Sequence, residues 1–292
     1  MGSNLMKASA LCLAFALWLC GAPVAGAVEL RATVPGHPGL TYFDLAKRVV
    51  TDLGRPGKID GGLLDVAVGH KVVPFTHIEG KGATGEPADT IKLDTSDIDA
   101  MAIPGDPSRI VLLVDLGVQE GFVAHAALLA LFSLAPAPRL LDVVEVGRLE
   151  FTGFVQRKPV MLAPATPLIL IASEHDVADE DANGMEMIFI RSDRFQFIGA
   201  FLTRDEKLCT VKRMEPWSVS AVPGAGPYAA IDVSVRESVT VTGEEGCGDQ
   251  EKPPRARAKT YRAIYRWDQS AQRFTTQSTE LKQLLQENDK PL

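Results

Sequence analysis

The stretch from residue 168 to residue 202 constrains the fold most. It reads Leu168-Ile169-Leu170-Ile171, an acidic segment from Glu174 to Gly184, then Met185-Glu186-Met187-Ile188-Phe189-Ile190. A turn at Ser192-Asp193-Arg194 and a last run from Phe195 to Leu202 follow. Apolar runs this short, rich in Ile and Phe and bounded by polar clusters, are strands. They are nearly continuous instead of alternating, which puts apolar side chains on both sheet faces and predicts strands covered on both sides. The reading is a central β-meander: strand, acidic loop, strand, tight turn, strand.

The rest of the chain follows the same grammar. Ile110 to Leu116 and Leu140 to Val146 are apolar and β-branched, and further strands are expected at Lys71 to Phe75, Ile98 to Ile103 and Leu208 to Arg213. Residues 122–134 are rich in Ala and Leu, which favour helix, but neighbouring strands and Pro136 and Pro138 turn the reading to a strand. After a Pro/Gly loop from Pro216 to Pro227, Ile231, Val233, Val235, Val239 and Val241 alternate with polar residues, as do Tyr261, Ala263, Tyr265 and Trp267. Such alternation marks antiparallel sheets with one wet face. Tyr42, Leu45, Ala46, Val49 and Leu53 recur at helical spacing behind a Thr41/Asp44 capping pair, and Gly54 and Pro56 stop them, which predicts a helix over 41–53. Leu281, Leu284, Leu285 and Asn288 predict a closing helix. Regular βα alternation is missing, against a doubly wound parallel sheet. The expected class is mainly β: antiparallel meanders, propeller-like or a layered sandwich, with a short helix near each end, in one domain over 28–292.

Lys7 is the only charge before an apolar run from Ala8 to Cys20. Gly21 and Pro23 break the run, and Ala25-Gly26-Ala27 then sets small residues where signal peptidase needs them. This predicts a signal peptide, residues 1–27, cleaved after Ala27. The run, about 13 residues, is too short to span a bilayer, so no transmembrane segment is expected in a mature chain that is periplasmic or secreted. Leu19, ahead of Cys20, is not the small residue that a lipoprotein signal wants. The net charge of −7 argues against nucleic acid and against loose docking on anionic lipid. Cys12 and Cys20 leave with the signal. Cys209 and Cys247 remain, in a compartment where disulfides persist, and are expected to pair.

One segment gathers side chains with a chemical purpose. Asp179-Glu180-Asp181-Ala182-Asn183-Gly184 resembles the first half, D-x-D-x-N-G, of calcium loops set between strands in secreted repeat and propeller proteins. Alternate residues would turn Asp179, Asp181 and Asn183 inward, Gly184 would make the sharp bend, and the Met185 carbonyl would be a fourth ligand. The resemblance covers six residues and stops at the twelfth loop position. Ile190 stands there instead of a bidentate Glu, so Asp176, Glu174 or a distant carboxylate would have to serve. The competing reading is an acidic hairpin closed by Asn-Gly. Glu174-His175-Asp176 would converge on a metal or a substrate only if the strand bent, because consecutive residues face opposite ways. Asp115, Asp142 and Glu145 form no recognisable pair. The sequence has no G-x-S-x-G and no H-E-x-x-H, and Gly80 to Gly85 lacks the order of a phosphate loop. Arg255, Arg257 and Lys259 alternate with alanines, which reads as a charged strand face guarding against edge pairing.

Over most of the mature chain, the short signal, Leu140-Leu141-Asp142-Val143-Val144-Glu145-Val146-Gly147, Ser173-Glu174-His175, and Tyr265-Arg266-Trp267-Asp268 ahead of Arg273-Phe274 resemble uncharacterised exported proteins of Gram-negative bacteria. The resemblance implies export and no particular activity. Two functions are carried forward. The first is a non-catalytic exported protein that binds an envelope component or a protein partner, without a cofactor other than calcium. The second is a periplasmic hydrolase using carboxylates, with or without a metal, around residues 174–181. A concave pocket holding two of those carboxylates beside His175 would favour the enzyme, and a flat surface would favour binding.

Overall fold

The computed structural model describes residues 26–50, 53–60, 63–68, 75–77, 82–83, 91–94, 98–118, 125–147, 149, 151–155, 159–177, 180–208, 211–241 and 255–289. The side chains of 53–94, 116–118, 125–126, 176–177, 180 and 208 lie outside that description. In chain order come β1 (Gly26–Ala27), α1 (Tyr42–Val49), β2 (Leu53–Asp60), β3 (Leu63–Val68), β4 (Phe75–His77), β5 (Gly82–Ala83) and β6 (Ile91–Asp94). Next are β7 (Ile98–Ile103), β8 (Asp106–Val118), β9 (His125–Ser133), β10 (Arg139–Val146), β11 (Phe151–Phe154) and β12 (Val160–Ala163). The meander follows as β13 (Thr166–Val177), β14 (Glu180–Arg191) and β15 (Arg194–Leu208). Last come β16 (Val211–Met214), β17 (Trp217–Val222), β18 (Ala230–Val241), β19 (Arg257–Asp268), β20 (Arg273–Thr275) and α2 (Glu280–Asn288).

The described chain is mainly β, with two short helices. A seven-stranded sheet runs β1-β7-β8-β9-β10-β4-β5. A ten-stranded sheet runs β11-β13-β14-β15-β16-β18-β19-β20, with β12 beside β13 and β17 beside β18. A small sheet holds β2, β3 and β6. Pairing is antiparallel except between β10 and β4.

Three apolar clusters stack through these layers. On β8, Ile110, Leu112 and Val114 face a core closed by α1, through Leu45, Ala46 and Val49. The intervening Val111 and Leu113 face a second core, shared with Ile169, Ile171, Ile188 and Ile190 of the other sheet. Beyond those strands the large sheet curls, so that Met185, Met187 and Phe189 of β14 meet Ile231 and Val233 of β18 and Tyr261 and Tyr265 of β19. β14 thus buries both faces: its odd residues 185–189 enter one core and Ile188 and Ile190 the other. The continuous apolar run foretold this, since a strand with one wet face needs polar residues at every second place.

Two local devices make the curl. Ser192 and Asp193, at φ of 50° and 59°, form a two-residue hairpin turn of the kind whose twist matches its strands. A register shift falls between the pairs Met187↔Gly199 and Ile188↔Phe197. It leaves Ile198 as an extra residue that bends β15, and a Cβ at Gly199 would stand 2.9 Å from the Tyr265 hydroxyl. Asp142 ties the two large sheets together by accepting the Phe195 N–H at 2.8 Å.

Several expectations need correction. The first helix begins where expected, with Thr41 and Asp44 capping each other, but ends at Val49; Leu53, Gly54 and Pro56 belong to β2. Trp217–Val222, read as loop, is a strand along β18. Its Pro and Ser neighbours disguise it, and only the partner strand supplies its pairing. The acidic loop is shorter than expected, because β13 runs to Val177 and β14 starts at Glu180. Leu285 of α2 is exposed, while Leu281, Leu284 and Asn288 are buried. Residues 125–133 are a strand, as read. Cys209, Cys247, residues 71–74 and most of the Gly80 to Gly85 segment lie outside the described residues.

Candidate functional site

Strand alternation and register assemble one polar sheet face at the open end of the meander. Glu174, Asn183 and Thr203 stand in one row across β13, β14 and β15, and Asp176, Asp181 and Asp205 in the next. Ala172, Met185 and Phe201 form the apolar row on the other side. By register the structure therefore sets the expected Glu174, Asp176, Asp181 and Asn183 on one face and adds Asp205. Asp179 lies outside the described residues. His175 does not join them, since its neighbours in the chain hold that face.

This face floors a half-open cleft of about 480 Å³, within the roughly 300–1,000 Å³ of small-molecule sites. Glu174, Asn183, Thr203 and Asp205 line it together with Met185, and Phe154 and Val155 close one side. Met214, Glu215, Pro216 and Trp217 form the opposite wall. Trp217 packs edge-on against Phe201, with ring centroids 5.9 Å apart. The cleft is concave, yet of the carboxylates from 174 to 181 whose side chains are described, Glu174 and Asp181, only Glu174 lines it, and His175 is absent from its walls. Among the described residues no three His, Cys, Asp or Glu side chains gather to hold a metal ion.

Glu215 is the side chain that sequence reading missed. It is 4 % exposed. Its Oε2 accepts from the Arg204 backbone N–H at 2.9 Å and from Asn288 Nδ2 at 2.8 Å. Burial pushes the Glu215 carboxyl above its ordinary range, against the opposing pull of those two donors and of Arg213. No local signal marks it, because its partners stand 11 and 73 residues away in the chain.

Behind Glu215 lies a buried ionic lattice. Arg213, 1 % exposed, faces Glu206 at 3.3 Å and Glu237 at 3.8 Å. Its Nε and Nη1 lack hydrogen-bond geometry to either, so the attraction there is Coulombic. Arg204 caps Glu206 at 2.6 Å and Arg257 caps Glu237 at 2.7 Å. Arg257 thus neutralises a buried carboxylate, and Lys259 lies 4.2 Å from the Tyr261 ring centroid; neither is a simple solvated guard of an edge. Asp142 accepts the Phe195 N–H and lies 3.6 Å from Arg194.

A pH effect follows from Glu215. A carboxyl whose folded pKa is raised stabilises the fold fully below its unfolded pKa and loses that contribution as pH rises through the folded value. Asp99, raised mainly by burial, acts in the same sense; Asp232, lowered mainly by its Arg262 hydrogen bonds, acts in the opposite one. Glu215→Gln removes one raised group. Its melting temperature relative to wild type is expected to improve as pH goes from about 4 to about 7, across the ordinary carboxylate range. A difference that does not change with pH would contradict the assignment.

Comparison with known protein families, with curated proteins and with solved structures finds no match to this chain.

Proposed function

We propose that the chain is an exported, non-catalytic binding protein that holds a small ligand in the cleft beside Trp217. The observation that carries this is the cleft's composition. An aromatic and aliphatic wall faces a few convergent polar groups across a space of small-molecule size, which is how ligand sites are built. Export rests on Lys7, the apolar run behind it and Ala25-Gly26-Ala27. A Cys209–Cys247 disulfide belongs to the same reading. No helix among the described residues is long and apolar enough to cross a membrane.

The test uses protein purified from the periplasm. Its intact mass should begin at Val28 and be two hydrogens lighter than the reduced form. A panel of amines, sugars, peptides and organic acids is then screened by melting temperature. At least one class is expected to raise it saturably. Asp205→Trp puts an indole into the cleft from an exposed strand position and is expected to abolish that rise without lowering the ligand-free melting temperature. Ligand effects equal in both proteins would overturn the reading.

The carboxylate hydrolase keeps one supporting observation. Burial favours the protonated form of Glu215 in the same cleft as the exposed Glu174 and Asp205, and unlike environments for neighbouring carboxyls separate acid from base. Conversion of any panel compound by wild type but not by Glu215→Gln would replace binding with catalysis.

A further inference from the structure

We propose that the cleft is a site for a primary ammonium group attached to a methylene or other apolar body; this deepens, and rests on, the reading of the cleft as a ligand site. Two buried oxygens lack a hydrogen-bond partner: Oε1 of Glu215, which lines the cleft, and Oδ1 of Asn288, which is not part of the lining. They belong to side chains that already hold each other at 2.8 Å through their other atoms, and Asn288 is 1 % exposed. The amide orientation is fixed by its surroundings. Asn288 Nδ2 donates both to Glu215 and to the Leu202 carbonyl, at 3.4 Å, and turning the amide would set oxygen against oxygen.

An ammonium beside Glu215 favours its carboxylate over the protonated form that burial alone favours, and a group with several N–H bonds and no acceptor suits an Oε1 that has no donor. An ammonium has three, whereas a hydroxyl brings one. The rest of the cleft suits the same ligand. Glu174 and Asp205 are exposed in it and disfavour an anion. Trp217 and Met214 offer an apolar surface that a hydrated metal ion would not use, and an aromatic face attracts an organic cation. The guanidinium groups of Arg204, which itself lines the cleft, and of Arg213 pair with Glu206 and Glu237, so these positive charges are balanced by buried carboxylates. Reaching Glu215 Oε1, which is shielded from water, takes a side-chain turn at the wall. Met214 stands there, 41 % exposed and unbranched, hence adaptable.

The experiment is calorimetric titration of the full mature protein with 1,5-diaminopentane, 1,5-pentanediol and calcium chloride. The diamine is expected to bind saturably, with the diol at least a hundredfold weaker. Glu215→Gln should weaken the diamine at least tenfold, and the exposed-site variant Asp205→Asn, which does not touch the buried lattice, should weaken it several-fold. Asp205→Asn carries the test if Glu215→Gln fails to fold. Equal binding of diol and diamine would overturn the ammonium assignment while leaving the cleft as a ligand site. So would diamine affinity unchanged in the variants, or calcium that displaces the diamine and binds more tightly. If the diamine does not bind, and another panel compound shows the Asp205→Trp sensitivity described above, this inference alone fails. If nothing shows that sensitivity, the cleft reading fails with it.

Discussion

Arg213→Ala is expected to destabilise the fold by about 3–5 kcal/mol, the usual cost of breaking a buried ion pair by removing one partner. Arg213 lies between Glu206 and Glu237, which are themselves almost wholly buried. Truncation leaves two carboxylates in low dielectric, each with only one remaining arginine. The lattice as a whole is a different matter, because desolvating charges offsets most of their attraction. Replacing Glu206, Arg213 and Glu237 together with Leu, Met and Leu is therefore expected to be far milder than the single truncation. Arg204 and Arg257, the partners left behind, are 25 % and 40 % exposed at the side chain and can turn to water. Urea unfolding of the three proteins decides this. A single variant within about 1 kcal/mol of wild type, as at an ordinary surface site, would show that Arg213 is not held in an ionic interior.

Phe189→Ala is expected to cost a comparable 3–5 kcal/mol, roughly the range for losing a buried aromatic ring. Phe189 is 1 % exposed and meets Tyr228, Trp267 and Phe274 edge-on at 5.6, 5.9 and 5.2 Å. Such ring pairs add about 0.5–1.5 kcal/mol each beyond the area they bury. Phe189 also joins the meander to the far arm of the curled sheet, so the cavity would open where the two halves meet. The same truncation at exposed Leu285 should stay within about 0.5 kcal/mol. If both variants melted alike, the third cluster would not be a packed core.

How much of this was legible depended on how far apart the interacting residues lie in the chain. The Thr41/Asp44 cap, the Ser192-Asp193 turn and the alternation of β18 and β19 are fixed by neighbours within a few residues. Their hydrogen bonds and their period are written locally. The double burial of residues 185–190 of β14 was legible for the same reason, as a run whose one polar residue is Glu186 has no side to offer to water. The end of the first helix was not legible. Leu53 continues the helical period, but it pairs with Val68 instead, and a tertiary partner outweighs a weak local preference.

The site follows the same division. Asp176, Asp181 and Asn183 could be singled out because they crowd one short segment. The sequence determined their alternation, the hairpin that carries them and the mainly β class around them. Only the tertiary structure decided that Asp205 stands across from Asp181, that Trp217 belongs to a strand, and that Glu215 is buried against Asn288. Register and sheet curl create those neighbours over long chain separations, and burial then changes what a carboxyl can do. A glutamate before a proline looks like any surface residue until the fold removes its water.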